Sequence, residues 1–317
     1  MPDLEQHRAR PTVSLEAAMV ARRYYIDDKQ KNEIADEFGI SRFKVARLLD
    51  EARASGIVRI YVDMPSEIDL PLGEQVAQRF GVRRVIVVRT FDDDPDAIAS
   101  ITGSAAAQYL TGIIGPDDTL GISWGRSLTY AVDAVATKSS TDIVQLVGGV
   151  RAGELDISGV ELVRRLSEKT GGRAFPLHAP LLVRTPAMAQ ELRDDPSLAD
   201  VIGRFASLTV AAIGIGSWQP PKSALFSEFT PAEREELTGL GATADLCAIV
   251  LDKEGKPVAS PAVDRAVGIT IAELRKVPEV IAIAGGPEKV DAIIAVLKSG
   301  AVNTLVTDSQ TATRLLG

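Results

Sequence analysis

Hydrophobic positions in the first sixty residues recur at helical spacing in three short blocks. The first, 15–26 (LEAAMVARRYYI), sets Leu15, Ala18, Met19, Ala21 and Ile26 at roughly helical intervals. After a polar break, Asp27-Asp28-Lys29-Gln30, the second block runs 31–38 with Ile34, Ala35 and Phe38 on its inner face. Gly39 suits a left-handed helix end, and Ser41 is a good N-cap for a third helix, 42–53. Val45, Leu48 and Leu49 form the stripe of that helix, while Arg42, Lys44 and Arg47 fall elsewhere on its N-terminal half. Short helix, glycine, Ser-Arg, helix is the layout of a helix-turn-helix that reads DNA with its last helix. The contacts fall to Lys31, at the head of the second helix, and to Ser41, Arg42, Phe43, Lys44 and Arg47. The alternating run Ile57–Val62 suits the wing of a winged helix or a lead into a linker.

From residue 66 the pattern changes. Residues 66–80 read as a connecting helix, and short apolar runs then alternate with amphipathic ones. Strands are predicted at 83–89, 118–123, 142–147, 208–214, 246–251, 279–284 and 303–306. Helices are predicted at 95–112, 126–137, 158–169, 231–239, 270–276, 287–299 and 309–316. Such alternation predicts an α/β fold with a mostly parallel, Rossmann-like sheet covered on both faces. Two domains follow: a helix-turn-helix over 1–64, and an effector-binding and oligomerisation domain over 65–317.

Charge sharpens this division. The 317 residues carry a net charge of −8, but residues 1–62 hold eleven Lys/Arg against ten Asp/Glu. A near-neutral head on an acidic body suits DNA binding where the basic groups cluster on one face. One cysteine, Cys247, leaves no intrachain disulfide and no multi-cysteine metal site. No apolar run reaches the ~20 residues that span a bilayer, and the polar N-terminus has no signal-peptide core. The expected location is the cytoplasm, away from membranes.

Three glycine-bearing loops follow predicted strands: Gly121–Ser127, Gly148–Arg151 and Gly285–Lys289. Small residues let backbone amides approach an anion, and two of these loops open helices whose N-termini favour negative charge. Arg126, Arg151 and Lys289 add cations, so a phosphate or carboxylate site is expected. Gly121-Ile122-Ser123-Trp124-Gly125 also satisfies the nucleophile elbow of serine hydrolases. A triad would have to draw on His178, and no oxyanion loop precedes the serine. Neither a Walker A loop nor a dinucleotide fingerprint is present, and no cofactor or metal is expected.

Both halves resemble the SorC family of bacterial sugar-responsive transcription regulators. In the head the likeness rests on Ala21-Arg22-Arg23-Tyr24-Tyr25, Glu33-Ile34-Ala35, Gly39-Ile40-Ser41-Arg42 and Val45-Ala46-Arg47-Leu48-Leu49. In the body it rests on Gly121–Gly125, Gln145-Leu146-Val147-Gly148-Gly149 and a closing pattern. That pattern runs Ile283-Ala284-Gly285-Gly286, Lys289, Ala292-Ile293, Leu297, Leu305-Val306-Thr307-Asp308 and Ala312. The resemblance implies a body related to phosphosugar isomerases and deaminases, used for sensing and not turnover. It implies operator DNA, a sugar, polyol or phosphosugar effector, and a homodimer or homotetramer. It places Ser123, Arg126 and Ser127 on the phosphate, with Gly148, Gly149, Gly286 and Lys289 facing them. Ser158 and Asp245 become candidates for sugar hydroxyls. Several relatives carry a basic residue where this chain has Val147. Either Arg151 or Arg126 substitutes for it, or the effector is less charged. A phosphosugar isomerase remains the alternative, and the DNA-binding head argues against it.

Overall fold

The computed structural model describes residues 14–58, 68–90, 94–150 and 158–317. The chain divides into two compact units, Met1–Pro65 and Ser66–Gly317.

In the first unit, α1 (Leu15–Tyr25), α2 (Lys31–Phe38) and α3 (Arg42–Ala54) close around Ala17, Val20, Ala21, Ile34, Ala35, Val45, Leu48, Leu49 and Ala52. Each helix starts where its cap dictates. Ser14 accepts from the Ala17 amide, Gln30 and Glu33 form a capping box, and Ser41 accepts from the Lys44 amide. Gly39 ends α2 with φ +64°, turning the chain within three residues into α3. The inner face of α1 is not made of its larger apolar residues. Ala17, Val20 and Ala21 are buried, whereas Leu15, Met19 and Ile26 are 73%, 49% and 76% exposed. Ile57 and Val58 pack against this core; the rest of the strand-like run 57–62 lies outside the described residues.

The second unit opens with α4 (Leu70–Phe80) and β1 (Arg84–Val88), followed by α5 (Pro95–Ile113), β2 (Thr119–Ile122), α6 (Arg126–Ala134) and β3 (Asp142–Gln145). Then come α7 (Gly159–Thr170), β4 (Ala174–Phe175), α8 (Pro186–Asp194), α9 (Ala199–Gly203), β5 (Val210–Gly214) and β6 (Gly216–Ser217). Next are α10 (Ala224–Glu228), α11 (Pro231–Gly239), β7 (Ala242–Leu246), β8 (Ile249–Asp252) and α12 (Ile271–Leu274). The chain closes with β9 (Glu279–Ile283), α13 (Val290–Lys298), β10 (Thr304–Asp308) and α14 (Ser309–Leu316).

Seven strands form one sheet in the order β1-β10-β9-β5-β2-β3-β4, and every pairing in it is parallel. The fold is therefore α/β with a parallel central sheet. Its strands are apolar on both faces, as a doubly covered sheet requires. From β2 the chain steps outward through β3 and β4, then returns to β5 on the other side of β2 and steps outward again through β9 and β10. Strand order thus reverses between β2 and β5, and ligands of such sheets bind beyond the strand ends at that reversal.

The small antiparallel sheet β6-β7-β8 was not expected. The run predicted as one strand over 246–251 is a hairpin, broken at Cys247 and Ala248, whose φ values are +48° and +61°. The helix predicted over 287–299 begins as a single 3-10 turn, Pro287–Lys289.

Candidate functional site

A cavity of about 350 Å³ lies at the strand reversal. Ser123 and Trp124 reach it from the end of β2, Gly214 and Ile215 from β5, and Gly285 with Lys289 from beyond β9. The small sheet contributes Asp245, Cys247 and Ala248, and α5 contributes Pro95 and Ala99.

The N-terminus of α6 forms part of the wall. Gly125 precedes it at φ +141°, a conformation that side-chain-bearing residues avoid, and offers no side chain to cap the helix. Eleven other helices of the described residues carry a side-chain cap or a capping box, among them α1, α5, α7 and α14. Arg126, Ser127 and Leu128 open α6 and line the cavity, and no side chain caps that helix end. Backbone amides and helix dipole together make such an end attractive to an anion.

Three cations share the cavity: Arg126, Lys222 and Lys289. Arg126 sits at its rim, half-exposed, with Nη1 2.9 Å from Oδ1 of Asp96. Lys289 reaches deep inside and donates to the Ile215 carbonyl at 2.9 Å. Burial lowers its proton affinity and the Asp245 carboxylate raises it, while Arg126 and Lys222 repel the ammonium. Lys289 is half-buried overall, with its Nζ turned inward to the Ile215 carbonyl.

Asp245 is the opposing charge. It is 6% exposed, and its Oδ2 has no hydrogen-bond partner. Burial pushes its carboxyl up to about 6, against the pull of the Ser223 hydroxyl and of Lys289. A buried carboxylate oxygen without a donor is costly. Cys247 borders Asp245, and burial together with that carboxylate pushes its thiol up to about 12. Such a thiol is inert as a nucleophile.

The expected site residues divide by place. Ser123, Arg126, Ser127, Asp245, Gly285 and Lys289 line the cavity. Gly148 and Gly149 do not: Gly148 is closely packed, and the Gly149 backbone is bonded to Ala179 and Leu181. A Cβ at Gly148 would stand 2.4 Å from the Pro180 carbonyl oxygen, and the Gly148 carbonyl accepts from Trp124 Nε1 at 3.3 Å. Gly148 therefore supports Trp124 of the Ser123–Gly125 loop from behind. The Gly286 amide is taken by Asp308 and Thr311, and Ser158 caps α7 through the Glu161 amide. Arg151 lies outside the described residues. Trp124, Lys222, Ser223, Ser227, Cys247 and Glu288 also line the cavity and were not foreseen.

Among the described residues that line the cavity, no histidine stands beside Ser123. Ser123 Oγ accepts from the Gly214 amide at 3.4 Å, and His178 is exposed and not among the lining residues.

On the head, Arg42, Phe43 and Arg47 are exposed on α3, Phe43 at 88%. Lys44 Nζ is held by Glu16 at 2.7 Å, and Lys31 Nζ lies 5.6 Å from the centroid of the Tyr24 ring. Ser41 is spent on its cap.

Residues 65–317 match the family model described as "Putative sugar-binding domain". The transcriptional regulator LsrR of Enterobacter sp. (strain 638) is 30% identical over 306 residues, covering 94% of this chain and 92% of the relative. The sorbitol operon regulator of Klebsiella pneumoniae is 29% identical, covering 94% of this chain and 96% of the relative. The crystal structure of full-length SorC from Klebsiella pneumoniae superposes with a TM-score of 0.74 at 26% identity, over 95% of this chain and 98% of that one. Family model, full-length relatives and fold agree: the chain belongs to the SorC family of transcription regulators.

Proposed function

We propose that residues 1–64 read operator DNA through a helix-turn-helix, and that residues 65–317 sense a small anionic sugar or polyol, a phosphosugar in the fullest case. The observation that carries this reading is the convergence of Arg126, Lys222 and Lys289 on one cavity that also holds the uncapped start of α6. The anionic group sits at that helix end, and a hydroxyl of the effector bonds to the bare Oδ2 of Asp245. Ser123 and Ser127 act as hydrogen-bonding hydroxyls. With no histidine on the cavity wall, Ser123 has no partner to make it a nucleophile. Kinship of the body with phosphosugar isomerases is compatible with the parallel sheet and with ligand binding at the strand reversal. The protein acts as a homodimer or homotetramer in the cytoplasm; no described helix is long and apolar enough to cross a membrane.

Control is allosteric: the effector changes operator affinity, and the operator changes effector affinity by the same factor. The test is thermal unfolding of the full chain against sugars, polyols and their phosphates. A phosphosugar raises the melting temperature with the logarithm of its concentration above Kd, and its unphosphorylated parent raises it less. A panel in which no sugar, polyol or phosphate moves the transition would overturn the sensor reading.

A further inference from the structure

Helix α1 has two apolar faces, and only one packs against other described residues of the head. At about 100° per residue, Ala17, Val20, Ala21 and Tyr24 fall on one side of the helix and pack into the head core. Leu15, Met19, Arg22 and Ile26 fall on the opposite side, about 180° away, and all four are exposed. The outer stripe carries larger apolar groups than the inner one. Its 4-3-4 spacing is that of a helix-packing seam.

We infer that this stripe pairs, antiparallel, with α1 of a second copy of the chain. Charge selects both the occupant and the direction. A parallel pair would set Arg22 against Arg22 of the second copy. An antiparallel pair sets Leu15 against Ile26 of the second copy, and Met19 against the aliphatic stem of its Arg22. It also brings Glu16 beside Arg23 of the second copy, and the reverse, because both lie on one flank of the seam. Glu16 and Arg23 are partly exposed, with ion pairs to Lys44 and to Asp27 and Glu37 that leave them reachable from outside. The arrangement is two-fold symmetric, as an isologous contact must be. Three apolar side chains fall short of the roughly 800 Å² per partner of a stable interface. The heads therefore pair only where another association already holds two copies together, and there they fix the separation of two α3 helices. This goes beyond effector sensing, and its test is independent of any effector.

The full-length chain carrying Leu15→Cys and Ile26→Cys is oxidised with copper phenanthroline and run on a non-reducing gel. The native Cys247 is buried and its thiol is pushed up to about 12, so it stays out of the reaction. The expected result is a covalent dimer as the main species from the double variant, and monomer from either single variant. Adding Met19→Glu to the double variant should reduce the dimer to a trace. A dimer from Leu15→Cys alone would overturn the antiparallel pairing. No dimer from a double variant of unchanged helical circular dichroism, or a dimer indifferent to Met19→Glu, would overturn the interface.

Discussion

The amide of Gly286 donates to Oδ2 of Asp308 at 2.9 Å, so a fully buried carboxylate at the end of β10 holds the loop that carries Lys289. The same Oδ2 accepts from Thr311 Oγ1 at 2.6 Å, and Oδ1 caps α14 through the Thr311 amide at 2.9 Å. Asp308→Asn keeps the shape but turns an N–H toward the Gly286 amide or the Thr311 hydroxyl. Leaving a buried donor unmatched costs about 1–3 kcal/mol. Denaturant unfolding should show that loss, and effector affinity should fall with it as Lys289 moves. Unchanged stability together with unchanged binding would show that Asp308 does not position the loop.

Asp245 makes stability depend on pH in a definite direction. Its folded pKa is raised from 3.8 to about 6, so the folded state holds the proton more tightly than the unfolded chain. The stabilisation this brings is complete below about pH 4 and is lost as pH rises through about 6. The two-unit shift corresponds to about 2–3 kcal/mol across that window. Asp245→Asn removes the dependence, so its stability relative to wild type should climb between pH 4 and 6 and level off above. Its affinity for a hydroxylated effector should fall at pH 7.5, where the acceptor carboxylate is missing. A flat difference between the two proteins across that pH range would refute the assignment.

Depth separates the two cations that sequence pointed to. Lys289 is enclosed, whereas Arg126 stands 53% exposed at the rim beside Asp96. Screening weakens an exposed charge far more than a buried one. Lys289→Ala should therefore weaken an anionic effector by about tenfold or more at any salt concentration. Arg126→Ala should cost a few-fold at low salt and little at high salt. Calorimetric titration at two ionic strengths distinguishes them, and equal salt dependence in both variants would contradict this depth argument.

How far the sequence carries depends on whether a signal is local. Six of the seven parallel strands were readable because each is a short apolar run between turn residues, and the start of α6 because Gly125 and Arg126 follow such a run; β4, only two residues long, was missed. The small sheet was not readable. Cys247 and Ala248 carry no turn signal, so an unbroken apolar run concealed a hairpin held in place by tertiary packing. The first turn of α8 was readable but passed over: Thr185 before Pro186 is an N-cap with proline at the first helical position, and Thr185 accepts from the Met188 amide. Lys222 and Ser223 reach the cavity only because the chain loops back after β6, which no spacing in the sequence announces. In α1 the inner face was not readable because it uses alanines, while the larger apolar residues point outward.

On α3 the buried residues Val45, Leu48, Leu49 and Ala52 define an inner face, and helical geometry puts Phe43 and Arg47 on the opposite side, with Asp50 beside them. Arg42 and Lys44 fall on the two flanks, and Lys44 is further tied to Glu16. If α3 enters the major groove, Arg47 is placed for base edges and Phe43 for a thymine methyl, with Lys44 beside a phosphate. Arg47→Ala should lower the ratio of specific to non-specific affinity by about tenfold or more, the range of a lost bidentate guanine contact. Lys44→Ala should weaken all sequences alike and reduce the salt slope by about one. Because the acidic body discourages non-specific adhesion, discrimination should be measurable at moderate salt. A site selected from a random DNA library by the wild-type chain supplies the specific target, and anisotropy titrations across salt supply both numbers. If Arg47→Ala and Lys44→Ala shift both affinities equally, α3 is not read against bases in this orientation. If the Arg42, Lys44 and Arg47 triple alanine variant binds as tightly as wild type, the head does not read DNA through α3 at all.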